Sequence, residues 1–238
     1  VTLPTHEDEP HSGGNLAQRL NWLRAGVLGA NDGIVSVAAI GAGVAGATAD
    51  IGPVLTAAVA ALVGGAISMA LGEYVSVSSQ RDSERALIAK ERQELASEPE
   101  VELAELTELY RAKGLSEQTA RQVAKELTAH DALGAHLETE LGIDRDGTAQ
   151  PWSAAGASAL AFTIGGLIPL LALLLSPEAA RVPVLFVSTL VALALTGALG
   201  AKLGDSPLVR PTVRVVVGGA LALAATFVIG TIFGTQLG

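Results

Sequence analysis

Five apolar stretches run through this chain, near Gly26–Thr48, Val54–Ser78, Ala154–Ser176, Val182–Leu203 and Val213–Phe233. Each is about as long as the roughly 20 helical residues needed to cross some 30 Å of hydrocarbon. Lipid offers no partner to backbone amides and carbonyls, so a spanning segment of this length has to be a helix. Half of the residues are hydrophobic but only 3% are aromatic, the apolar mass coming from Ala, Val, Leu and Gly. Small residues of this kind let helix backbones approach closely in a bundle. Pro53, Pro151, Pro177, Pro183, Pro207 and Pro211 fall at or just outside the ends of the stretches, where a missing amide does least harm. The expected fold is an all-α membrane protein: five transmembrane helices with a three-helix cytosolic insert between spans two and three. Its expected parts are a polar cytosolic tail (1–19), spans one and two (20–80), the insert (81–150) and spans three to five (151–238).

Charge placement orients the expected bundle. Apart from Arg181, every Lys and Arg lies before span one, in the insert, or around the connection between spans four and five (Lys202, Arg210, Arg214). Basic residues mark the cytosolic side, which puts the N-terminus and insert in the cytosol and the C-terminus outside. The polar, acidic start with Glu7, Asp8 and Glu9 does not read as a secretory signal. The chain has no cysteine, so any metal is held by oxygen, imidazole or thioether. A net charge of −9 argues against nucleic acid as a partner.

Span two carries the chemistry. Its run AALVGGAISMALGEYVSVSSQRDSERALIAKERQEL places Met69, Glu73, Ser76, Gln80, Glu84, Leu87, Glu91 and Glu94 at steps of three or four, one face of a helix. A carboxylate at bilayer depth costs roughly 2.5–3.5 kcal/mol on insertion scales and usually marks an ion or proton route. The stripe reads as a path for a divalent metal. Asp32, in GANDGIVSV of span one, is the second intramembrane acid; Asn31 and Gly33 beside it suggest a locally loosened helix with carbonyls open to an ion. The plain alternative makes Asp32 a cap or an interhelical hydrogen-bond partner. Met69 and Tyr74 read equally as packing, and Pro169 and the spacing Gly64-x-x-x-Ser68-x-x-x-Gly72 as devices for a kink and a close helix contact.

In the insert, span two is expected to run on to about Ala96. Ser97 and Glu100 form a Ser-x-x-Glu signature that predicts a capped second helix, with Pro99 in its first turn. Gly114 ends it, Ser116 caps a third helix from about Glu117 to Leu141, and Gly142 stops that one. Glu91 and Glu94, Glu102 and Glu105, and His136 and Glu140 each share a helix face. Together they could enclose Fe²⁺, Mn²⁺ or Zn²⁺. The remaining acids, among them Glu98, Glu100, Glu108, Glu117 and Glu126, read as solvated, and His130 and Asp131 as structural residues pointing away from the His136–Glu140 face.

ANDGIVSV, GGAISMALGEYVSVSSQRD, the insert and SALAFTIGGLIPLL resemble the vacuolar iron transporter family, over about Leu20 to Phe233. The resemblance implies a dimeric five-span proton antiporter for Fe²⁺, often also Mn²⁺. It implies Asp32 and Met69, with adjoining Glu73, as the intramembrane site, and Glu91, Glu94, Glu102, Glu105 and Glu140 as cytosolic metal ligands. Where some members carry a Met-Met pair this chain has His136-Leu137, a departure that offers an imidazole as a substitute for a thioether. The expected function is proton-coupled export of Fe²⁺ or Mn²⁺ from the cytosol, without enzymatic activity or a prosthetic group. Zn²⁺ is a further ion the insert could hold. Expected partners are the lipid bilayer, divalent metal ions, protons and a second copy of the chain. The Ala-, Gly- and Val-rich composition points to a bacterium, and hence to the plasma membrane. Two other readings stand beside this one: a membrane-anchored metal sensor or scaffold, which leaves Asp32 and Glu73 unexplained, and a membrane diiron oxidase, which expects Glu-x-x-His pairs that the chain lacks.

Overall fold

The computed structural model describes residues 16–143 and 150–237, with side chains from 25 to 235 within those ranges. The acidic residues of the N-terminal tail, and Asp144 and Asp146 at the end of the insert, lie outside the described residues. Among the described residues seven α-helices follow in order: α1 (Leu16–Ala47), α2 (Ile51–Ser97), α3 (Pro99–Ala112), α4 (Glu117–Thr139), α5 (Pro151–Leu175), α6 (Arg181–Leu203) and α7 (Val209–Leu237). A 3-10 turn, Glu178–Ala180, precedes α6, and no strand occurs among the described residues. Five of the helices contain a stretch long and apolar enough to cross a membrane: α1, α2, α5, α6 and α7. The architecture is that of an all-α membrane protein.

The chain forms two compact units, one of residues 1–75 and 151–238, the other of residues 76–150. In the first, α1 is the central helix: 44% of its apolar window is buried, against 11% for α2. Ile34, Val37, Ala38 and Ala42 of α1 are fully buried, spaced as one helix face. Val37, Ala38 and Ala42 form a core with Val54, Ala58 and Leu62 of α2, Phe162 and Leu173 of α5, Leu185 of α6 and Leu223 of α7. Val59, Val63, Ile67, Leu71 and Val75 form an exposed apolar row along α2, which lipid accommodates at little cost.

Glycines set how closely the helices approach α1. A Cβ on Gly33 would collide with the Phe162 carbonyl, and one on Gly165 with the Ala30 carbonyl. A Cβ on Gly230 of α7 would strike the Gly43 carbonyl. These contacts correct one sequence expectation. The helix around Asp32 is not loosened: α1 is unbroken from Leu16 to Ala47, and Gly33 serves the crossing with α5 instead. Gly64 and Gly72 of α2, by contrast, face open space. Among the glycines of that segment it is Gly65 that packs inside the chain, against the Phe162 ring.

The second unit holds the C-terminal part of α2 with α3 and α4. Leu106, Ala124 and Ala135 form the buried core of the α3–α4 pair, with Leu103, Leu109, Tyr110 and Leu127 packed against it. The Tyr110 hydroxyl and Thr139 Oγ1, 3.1 Å apart, share a hydrogen bond.

Candidate metal centre

The insert's helices are punctuated mostly as their sequence dictates. Gly114 and Gly142 have positive φ, +98° and +61°, a conformation with no penalty for glycine. Ser116 caps α4 by accepting a hydrogen bond from the Thr119 amide at 3.3 Å. The predicted box at Ser97 does not form. Ser97 is the last residue of α2 and its hydroxyl donates back to the Gln93 carbonyl at 2.9 Å. Glu98 takes the cap position of α3 without a side-chain bond, and Pro99 opens the helix. The hydroxyl has a carbonyl of its own helix within reach, and that local bond wins.

This punctuation brings one side chain from each helix to a common point. Glu91 of α2, Glu102 of α3 and His136 of α4 are all buried, and one ligand atom from each lies within 4.8 Å of the others. His136 is fully buried. Its Nδ1 stands 3.0 Å from Glu91 Oε1, 3.6 Å from Glu102 Oε2 and 3.5 Å from Glu140 Oε2. Glu91 Oε1 and both ring nitrogens of His136 are buried without a hydrogen-bond partner, so the 3.0 Å approach is misaligned for such a bond. Orphaned buried polar atoms are costly. Carboxylate oxygens and an imidazole converging without bonding one another are what a divalent cation would satisfy.

The other predicted ligands of the insert stand around this trio. Glu140 borders it through His136. Glu94 is ion-paired with Lys90 at 2.9 Å and 38% exposed. Glu105 is exposed but acts on the trio through its charge. Burial pushes the Glu91 carboxyl above the usual carboxylate range, and the charge of Glu140 adds to this, while His136 opposes it. Burial likewise raises Glu102, followed by repulsion from Glu105. A cation placed among these groups would relieve both effects.

In the membrane unit, Asp32 is half-buried on α1 and its Oδ1 accepts a 2.8 Å hydrogen bond from the Ser36 hydroxyl. The neighbouring Asn31 accepts from Thr196 of α6 through its side-chain oxygen. Met69 packs against the core shared by α1, α2, α5, α6 and α7, and Glu73 is half-buried further along α2. Tyr74 packs against Trp152 with the rings tilted and their centroids 4.6 Å apart, which fits its reading as a packing residue. Among the described residues the only convergent group of three or more potential acidic or imidazole ligands is the one in the insert.

One feature near the site has a faint sequence signal. Asp131 is non-helical (φ −158°, ψ 89°) and divides α4; its Oδ1 accepts from the Gly134 amide at 3.1 Å. The spacing Asp-x-x-Gly ahead of His136 could have marked it.

Comparison with known proteins gives a consistent result. The model of the VIT family matches residues 23–231. A vacuolar iron transporter of Acanthamoeba castellanii is 46% identical over 216 residues, covering 88% of this chain and 77% of that protein. Vacuolar iron transporter homolog 2.1 of Arabidopsis thaliana is 36% identical, covering 88% and 80%. A VIT-like transporter 1b of Glycine max is 35% identical, covering 99% and 85%.

Proposed function

Since the chain belongs to the VIT family, whose relatives above are named as transporters, we propose that it is a non-enzymatic membrane transporter that moves Fe²⁺, and also Mn²⁺, out of the cytosol in exchange for protons. The observation that carries the metal reading is the buried trio of Glu91, Glu102 and His136 with its unpartnered ligand atoms. In this reading the insert collects cytosolic ions, with Glu94, Glu105 and Glu140 supplying negative potential around the trio, and Zn²⁺ is a further ion it holds. Asp32, Met69 and Glu73 form the membrane site, Met69 offering a thioether suited to borderline metals. A carboxylate must lose its proton to bind metal, so protons arriving from the opposite side release the ion. The setting is a bacterial plasma membrane with the N-terminus and insert cytosolic and the C-terminus outside.

The working unit is a homodimer. Support comes from α2, the span least covered within one chain, on which Gly64 and Gly72 face open space. A small-residue face of that kind suits a second helix.

The test is flux in liposomes carrying the purified protein and an entrapped Fe²⁺ reporter. An imposed proton gradient should accelerate Fe²⁺ movement, and collapsing the gradient should slow it. Tight binding by the insert with no flux in either condition would instead assign the protein to metal sensing.

A further inference from the structure

His136 is carried by a helical segment that starts afresh. Asp131 leaves the helical region altogether, with φ −158° and ψ 89°, extended backbone between two helical runs. Its side chain accepts from the amide three residues on, Gly134, at 3.1 Å. Extended dihedrals combined with a side-chain bond to the third following amide define an N-cap. Asp131 thus ends one helix and caps another, running from Ala132 to Thr139. Gly134 allows the bond to be close: a Cβ there would lie 2.5 Å from Asp131 Oδ2.

The short segment is enclosed on more than one side. Ala135, His136 and Leu137 are consecutive and all buried, an arc of roughly 200° at 3.6 residues per turn. Ala135 belongs to the apolar core with Leu106 of α3 and Ala124, while His136 Nδ1 meets Glu91 of α2 and Glu102 of α3. An extended residue advances the chain by about 3.3 Å where a helical one advances it by about 1.5 Å. Removing the break would therefore shift and re-aim everything after it. His136 Nδ1 has little room for such a shift, with three carboxylate oxygens between 3.0 and 3.6 Å away.

We propose that Asp131 is a positioning residue for the metal centre: by capping the restarted helix it places the His136 imidazole among Glu91, Glu102 and Glu140. The inference rests on the reading of that trio as a metal site. Groups that orient a ligand without touching the ion typically change affinity by about 10–100-fold, and Asp131 belongs to that range. Asn also caps helices well, Ala poorly.

The experiment uses the full-length protein in nanodiscs, with Zn²⁺ affinity by calorimetry and pulsed EPR of bound Mn²⁺ to detect coupling to an imidazole nitrogen. His136→Gln serves as the reference and should abolish the coupling. Asp131→Ala should lose the coupling and bind Zn²⁺ about 10–100-fold more weakly, while Asp131→Asn keeps both near the parent. Gly134→Val, which forces the cap apart from the other side, should behave like Asp131→Ala and serves in its place if that variant does not fold. Combining Asp131→Ala with His136→Gln should cost no more affinity than His136→Gln alone, because both act through one nitrogen. Parent-like coupling and affinity in folded Asp131→Ala, or in folded Gly134→Val where that stands in for it, would overturn the proposal, as would full additivity in the double variant. A parent protein with no nitrogen coupling at all would instead remove the metal-site reading itself.

Discussion

Replacing His136 by Leu would remove both ring nitrogens and leave Glu91 and Glu102 buried without the one group that opposes their raised affinity for protons. The pH dependence of the insert follows from those two carboxyls. Both are held above the ordinary Glu value of about 4.3, so the folded chain binds their protons more tightly than the unfolded chain does. In the absence of metal their contribution to stability is fully present below the ordinary value and is lost as pH rises through the raised one. A divalent cation, which binds the deprotonated forms, reverses the trend. Hydrogen exchange of the α3–α4 amides, corrected for intrinsic rates, should therefore show Zn²⁺-induced protection that grows from pH 5 towards neutrality. Equal protection at both ends of that interval would contradict the assignment of Glu91 and Glu102 as ligands. That Glu91 and Glu94, Glu102 and Glu105, and His136 and Glu140 each share a helix face was legible in the sequence, because three- and four-residue steps report a shared face. Which member of each pair enters the centre was not. Glu91 and Glu102 are buried while Glu94 and Glu105 are more exposed, a choice made by how three helices meet and not by the spacing within any one of them.

At the scale of the element, the sequence was most readable where a residue has one physical use. Gly114, Ser116 and Gly142 stop, cap and stop as expected, since positive φ and a side-chain acceptor are local matters. Ser97 was misread because a capping signature does not record the competing carbonyl of the preceding helix. Asp32 was misread in its surroundings because glycine has two uses in a membrane helix: Gly33 served close approach, not a loosened turn. The same contact gives a prediction. Gly165→Val should push α5 away from the Ala30 carbonyl and destabilise the bundle by about 1–3 kcal/mol or more, seen as a lower midpoint of thermal unfolding in detergent. Gly156→Val, at a position in α5 with open space around the site of the missing Cβ, is the matched control and should leave the midpoint nearly unchanged.

For the whole molecule, five spans were evident before any coordinates, since length and hydropathy alone give the count. The face that would meet the expected second copy was not, because faces a chain presents to another copy look in sequence like faces that pack within it. Gly64 and Gly72 separate the two cases. Leu at both positions should fold but should lose the dimer in a mild-detergent mass measurement, whereas an intact dimer would move the interface elsewhere. In the proposed mechanism metal crosses the membrane by way of Asp32 and Glu73 in exchange for protons. Its most direct test is the initial rate of Fe²⁺ flux in liposomes under a proton gradient, parent against Asp32→Asn, which keeps size and hydrogen bonding but removes the titratable charge. The account predicts a folded, correctly inserted variant whose gradient-driven flux falls to that of empty liposomes. Flux at the parent rate and with the parent pH dependence would contradict it.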